Sequence, residues 1–133
     1  MKLSIAKPED AGEIIRLHDL AGVSQAGEEV VELIEDQLFI KAMIEDQLVG
    51  TVNAGLDQET CHIHGLVVHP DFAGKGVGTV LLEEIEKNFP LTGRYEMETP
   101  PEEGPELAMG LRNGYEVFRR TESRIYMEKL KTS

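Results

Sequence analysis

Three glycines at alternate positions, Gly74, Gly76 and Gly78, separate a short β-branched run from a helix-patterned one, and this juncture constrains the chain most. The run Ile63–Val68 is apolar and short enough for a buried strand. His69-Pro70-Asp71 ends it, because proline removes an amide donor and restricts the residue before it. Beyond the glycines, Val77, Val80, Leu81, Ile85 and Phe89 recur at helical spacing, with Glu83, Glu84, Glu86 and Lys87 on other faces. The pattern predicts a strand, a glycine loop and a helix.

The chemistry of such a unit is anion binding. The first amides of a helix have no internal partner, and the macrodipole puts partial positive charge there. Glycines clear the side chains that would block a phosphate and reach backbone angles other residues avoid. Lys75 adds a mobile cation. Two other phosphate motifs fail on spacing. No Gly-x-x-x-x-Gly-Lys-Ser/Thr run exists, and the Gly-x-Gly-x-x-Gly fingerprint meets Thr79 when read from Gly74 and Leu81 when read from Gly76. A purely structural loop is the competing reading.

At 133 residues the chain fits a single domain, 1–133, with one core. No run of about 18 apolar residues is present, and Met1-Lys2-Leu3-Ser4 opens no signal-like stretch. The single cysteine, Cys61, allows no internal disulfide and fits a reducing cytoplasm, the expected location. The net charge of −12, from 25 acids against 13 bases, argues against nucleic-acid and anionic-membrane partners. It would draw in a cationic small molecule such as a polyamine, an amino sugar or a lysine-like amine. The plainer reading is a solvated acidic surface.

The remaining elements follow in order. Lys2–Ala6 alternates as a short strand, and Pro8-Glu9-Asp10 opens a helix of about twelve residues with Ala11, Ile14, Ile15 and Leu17–Leu20 inward. A second helix spans Gly27–Gln37, with Val30, Val31 and Ile34 inward and Glu28, Glu29, Glu32 and Glu35 outward. Leu38–Ile44 and Leu48–Leu56 read as strands joined at Glu45-Asp46-Gln47. Asp57-Gln58-Glu59 turns into the central strand, and Pro90 and Gly93 end the glycine-loop helix. Arg94–Glu98 is a strand, 99–105 a proline-rich loop and Glu106–Asn113 a helix closed by Gly114. Tyr115–Arg119 and Arg124–Met127 close the chain. The expected fold is α/β with a mixed sheet, in the order β-α-α-β-β-β-α-β-α-β-β.

The stretch Val68-His69-Pro70-Asp71-Phe72-Ala73-Gly74-Lys75-Gly76-Val77-Gly78 resembles the acetyl-CoA signature of the GCN5-related N-acetyltransferases (GNAT), Arg/Gln-x-x-Gly-x-Gly/Ala after a strand ending in Val-x-Pro. Leu48-Val49-Gly50 is similar to the opening of that family's third strand. The resemblance follows the element order along nearly the whole chain, though only about thirty residues are specific to it. It implies that the backbone of Leu66, Val67 and Val68 pairs with the pantetheine arm of CoA, and that amides from Gly74, Lys75, Gly76, Val77, Gly78 and Thr79 hold the pyrophosphate. One departure is Ala73, where the family carries Arg or Gln, so a side-chain phosphate contact is missing and weaker binding is expected.

Acetyl transfer to an amine needs a deprotonated nucleophile, a polarised carbonyl and a leaving thiolate. Aligning Ile63-x-x-Leu66-x-Val68 with the family pattern puts His64 where a strand glutamate often takes the amine's proton. The alternative is that His64 only packs or hydrogen-bonds in the sheet. The tyrosine acid, four residues before the glycine that ends the last helix, falls on Gly110, and the asparagine seven residues earlier falls on Glu103. Neither Tyr115 nor Tyr126 matches that position, so the acid is unassigned. His62 and His64 have metal-ligand spacing but no third ligand nearby, and Asp57 and His69 could join only by folding close, so no metal is expected. Cys61 reads as a packed residue rather than a nucleophile. The expectation is therefore an acetyl-CoA-dependent N-acetyltransferase acting on a primary amine of a small molecule. The alternative is a CoA-binding or ligand-sensing module that has lost catalysis, favoured by Ala73 and Gly110. The acceptor cannot be read. Strand-edge homodimers are common in similar proteins, but no residue pattern here signals one.

Overall fold

The computed structural model describes residues 1–23, 27–102 and 104–131; the side chain of Glu28, and Glu103, lie outside the described residues. The elements are β1 (Lys2–Ile5), α1 (Ala11–Leu20), α2 (Gly27–Asp36), β2 (Leu38–Ile44), β3 (Gln47–Asp57), β4 (Thr60–Val68), α3 (Val77–Asn88), β5 (Arg94–Thr99), α4 (Pro105–Arg112), β6 (Glu116–Arg120) and β7 (Ile125–Leu130). Their order is the one expected from the sequence. They build one seven-stranded mixed sheet, ordered β1-β2-β3-β4-β5-β7-β6. The pair β4 and β5 runs parallel; the other neighbouring pairs are antiparallel.

Three boundaries differ from the sequence reading by more than one residue, each for a local reason. The first helix is shorter than twelve residues because Pro8–Asp10 forms a separate 3-10 turn, with the Lys7 amide donating to Asp10 Oδ2 at 2.8 Å. The central strand starts at Thr60, three residues before its apolar run, because Thr60–Ile63 pairs with Arg94–Met97 of β5. The closing strand runs on to Leu130, where it pairs with Arg94.

The sheet carries a core on each face. Against one face, Val77, Leu81, Leu82 and Ile85 of α3 and Leu107 of α4 pack on Val49, Val52, Cys61, Ile63, Met97 and Met127. Against the other, Ile14 and Leu17 of α1 and Val30 of α2 pack on Phe39, Leu48 and Val67. Glu29, Glu32 and Glu35 face solvent, as their spacing on α2 predicts.

β4 contributes to both cores because it changes phase. Gly65 and Leu66 together stand opposite Val52 of β3, between the pairs Asn53↔His64 and Thr51↔Val67. This extra residue is a β-bulge, and it swaps the faces of everything beyond it. Cys61 and Ile63 point to the α3 side, while Val67 joins the α1–α2 core. Gly65 is required there: its φ is +59°, and a Cβ would run into Asn53 Oδ1.

Candidate functional site: two clefts meeting at a parted strand

The site begins where β4 and β5 separate. Their pairing ends at Ile63↔Met97, although β5 continues to Thr99. Beyond that pair, among the described residues, the β5-facing edge of residues 64–68 has no strand partner. The opposite edge stays anchored to β3, and the ladder is extended by the His69 amide donating to Val49 O at 2.8 Å. Leu66–Val68 therefore offers free backbone donors and acceptors to an extended ligand, as β-strand addition does.

A buried polar chain holds the bulge that makes this edge. The Thr51 hydroxyl donates to Gly65 O at 3.4 Å and lies 2.9 Å from His18 Nε2. His18 on α1 and Thr51 and Asn53 on β3 are almost fully buried. Asn53 donates to Gln37 Oε1 at 2.6 Å. These residues were invisible as functional positions in the sequence, where an isolated buried histidine or threonine carries no motif.

A cleft of about 420 Å³ runs along this edge to the glycine loop. Leu66, Val67, Val68, Gly74, Gly76, Val77, Gly78 and Thr79 line it, so eight of the nine residues expected at the cofactor site are brought together. Lys75 is the exception. It is exposed, and its ammonium lies 5.4 Å from the centroid of the Phe72 ring. Gly76, at φ +83°, caps α3, and the first intrahelical bond runs from the Val80 amide to Gly76 O. The amides of Val77, Gly78 and Thr79 precede that bond and have no carbonyl four residues back in the helix. Gly78 also serves helix packing, because a Cβ there would collide with Met109 of α4; its absence lets the two helices approach. Asn113 ties them further, donating to Thr79 Oγ1 at 3.1 Å and Met109 O at 2.8 Å.

Ala73 also lines this cleft. Arg112, in the last turn of α4, lines it as well and is the only Lys or Arg among its described lining residues. Spacing within the glycine loop gave no hint of it, because it comes from an element more than thirty residues later.

A second cleft, of about 480 Å³, opens on the other side of the parted strands. It shares Val23, Leu66, Val67 and Glu106 with the first, so the two meet at the bulged edge. Its polar walls are His64, Glu98, Thr99, Glu106 and Arg124. His64 points away from the α3 core, on the same open face as His62, whose ring lies parallel to it at 6.4 Å. His64 Nδ1 is 3.3 Å from Glu98 Oε1.

Of the candidates the sequence set aside, Tyr115, Cys61 and Gly110 fall elsewhere. Tyr115 is buried and donates to Glu86 Oε2 at 2.9 Å; burial and the Glu86 carboxylate push its hydroxyl far above the usual range. Cys61 is fully buried, and burial, with help from Glu86, pushes its thiol up to about 12. A thiol held protonated in this way is a packed residue, not a nucleophile. Gly110 is buried on α4 and lines neither cleft. Among the described residues no group of three or more His, Cys, Asp or Glu could hold a metal ion, and no helix is long and apolar enough to cross a membrane.

Solved structures share this fold. The PaiA N-acetyltransferase of Thermoplasma acidophilum, in complex with coenzyme A, is 18% identical with a TM-score of 0.89, covering 98% of each chain. An aminoglycoside 6'-N-acetyltransferase complexed with coenzyme A is 18% identical with a TM-score of 0.83, covering 98% of this chain and 97% of that one. The ribosomal-protein-S18-alanine N-acetyltransferase of Escherichia coli is 15% identical with a TM-score of 0.81, covering 97% and 92%. At these identities the likeness establishes the fold. A family model, described as the acetyltransferase (GNAT) family, matches residues 12–103. With more than half of its 133 residues matched, the chain belongs to the acetyltransferase (GNAT) family.

Proposed function

We propose that residues 1–133 form one cytoplasmic N-acetyltransferase unit that moves an acetyl group from acetyl-CoA to a primary amine of a small molecule. The observation that carries this reading is the meeting of two clefts at an unpaired strand edge, with a glycine-capped helix at the far end of one of them. The backbone of Leu66–Val68 would pair with the pantetheine arm, and the amides of residues 74–79 would hold the pyrophosphate. That would deliver the thioester to the junction near Glu106. The acceptor amine would come from the second cleft, where His64 takes its proton.

In that step the ammonium loses one proton to His64 Nε2, and the neutral nitrogen attacks the thioester carbonyl. The C–N bond forms and the nitrogen gives its second proton to water, the C–S bond breaks, and the thiolate takes the imidazolium proton, which returns His64 to its neutral form. The net change is ammonium plus acetyl-CoA to amide, CoA thiol and one proton. Every group named belongs to one chain, so the reading does not require a dimer. The excess of 25 acids over 13 bases favours a cationic acceptor over nucleic acid or an anionic membrane.

Calorimetric titration of acetyl-CoA into wild type and Gly76→Glu tests the cofactor half. Saturable binding, lost in a folded Gly76→Glu, is expected; no binding by wild type at sub-millimolar cofactor would remove the reading. A second reading, a CoA-binding module without catalysis, is favoured by Gly110 and Ala73. Thiol release from acetyl-CoA over a panel of putrescine, glucosamine and lysine separates the two: turnover supports the enzyme, and binding without turnover supports the module.

A further inference from the structure

We propose that Glu98 is a positioning residue for His64, the two forming an imidazole–carboxylate dyad across the gap between β4 and β5. The inference rests on His64 being the base. Pairing of the two strands stops at Ile63↔Met97, and His64 and Glu98 are the next residue on each. Both project to the open face, so strand geometry alone sets them side by side where backbone hydrogen bonding has ceased. Nδ1 lies 3.3 Å from Oε1, and both side chains are about one-third exposed, 40% and 33%, within reach of a substrate in the second cleft.

A neighbouring pair supplies an internal control. His62 and Glu96 stand two residues back on the same strands, 3.9 Å apart. The Glu96 carboxylate is already engaged by Arg94 Nη1 at 2.6 Å, and Arg94 also holds Glu128 at 2.8 Å. The cation nearest Glu98, among the described residues, is Arg124, with Nε at 3.8 Å on a half-exposed side chain. The carboxylate beside His64 is thus the less neutralised of the two. Of the two histidines, only His64 lines the cleft that meets the cofactor edge. The other charged or titratable groups around the dyad are His62 on β4, Tyr126 on β7 and Glu106 on α4.

A carboxylate facing Nδ1 favours the tautomer with its proton there, which leaves the Nε2 lone pair on the opposite edge of the ring. When Nε2 takes the ammonium proton, the imidazolium is left facing a negative charge. This is how an acid orients a histidine in hydrolytic triads, reached here with a β-ladder as scaffold.

The test joins imidazole ¹⁵N NMR to kinetics. In neutral wild-type protein, His64 is expected in the Nδ1–H form, and in Glu98→Leu it should move towards Nε2–H, while Glu98→Asp keeps the wild-type pattern. An Nε2–H His64 in wild type overturns the dyad without any acceptor being known. With whichever amine of the putrescine, glucosamine and lysine panel turns over fastest, His64→Gln should lower kcat by roughly 10²-fold or more. Glu98→Leu should lower it by about tenfold, with KM for acetyl-CoA within about twofold and partial recovery in Glu98→Asp. The double variant should be no slower than His64→Gln alone. A Glu98→Leu protein with wild-type kcat and an unchanged tautomer sinks the dyad but spares the base; an active His64→Gln sinks both.

Discussion

A Cβ placed on Gly110 would stand 2.7 Å from Met127 Sδ and 3.5 Å from Met97 Sδ, so this position on α4 is closed by the core rather than open to the cleft. The site that the sequence pattern reserves for a tyrosine acid is filled from the sheet side. Restoring that tyrosine should therefore fail. Gly110→Tyr is expected to lose about 1–3 kcal/mol of stability through overpacking and to gain no turnover. Urea unfolding and thiol release measure the two effects, and a stable, faster Gly110→Tyr would show that α4 can slide to admit the ring.

Much of this was readable from the residues, and the division has a physical basis. Local signals survived: the β-branched run, the glycines at 74, 76 and 78, and the helical spacing from Val77 onward all report on neighbours a few residues apart. The rest of the element order followed from local signals of the same kind elsewhere in the chain. What could not be read is whatever depends on registers between distant segments. Gly65 looks like any glycine in a strand until β3 places two residues opposite Val52. Arg112 looks like a solvated helix end until α4 folds over the glycine loop. His64 and Glu98 are separated by a helix in sequence and meet only because β4 and β5 are parallel neighbours.

Ala73 and Arg112 line the same cleft, one lacking a charge and one carrying it. Arg112→Ala should weaken acetyl-CoA binding by about three- to tenfold, since an open charged contact is worth roughly 0.5–1.5 kcal/mol. The loss should shrink as salt rises. Ala73→Gln, adding a donor that needs no charge, should tighten binding by a few fold. Calorimetry at two ionic strengths reads both, and an Arg112→Ala protein that binds as wild type would leave the helix amides as the main phosphate contact.

Cys61, Tyr95 and Tyr115 share one buried neighbourhood, and all three are held protonated by burial and by the Glu86 carboxylate. Each binds its proton more tightly folded than unfolded, so stability is full below the unfolded value and falls as pH rises through it. For Cys61 that begins near 9.0, and for the tyrosines near 10.0. Each group adds a slope of about 1.4 kcal/mol per pH unit while it ionises only in the unfolded chain. Denaturant unfolding between pH 8 and 11 (an interval of roughly three units) should show the decline. Cys61→Ala should delay its onset, and an unchanged onset in that variant would remove the thiol from the account.

The bulge at Gly65 is set by two separate constraints, a left-handed backbone angle and the nearness of Asn53 Oδ1. Gly65→Ala meets both and should cost about 1–3 kcal/mol. In an Asn53→Ala background the collision disappears while the backbone strain remains, so part of the cost should return as a favourable coupling. Thr51→Val keeps the volume but takes the hydroxyl from between His18 and Gly65 O, and should cost about 1–3 kcal/mol. Because the bulge sets the phase of Leu66–Val68, both Gly65→Ala and Thr51→Val should also weaken acetyl-CoA binding, although neither residue lines the glycine-loop cleft. Variants that lose stability but bind the cofactor as wild type would mean that the free edge of β4 keeps its phase without the bulge, held by the His69–Val49 anchor alone.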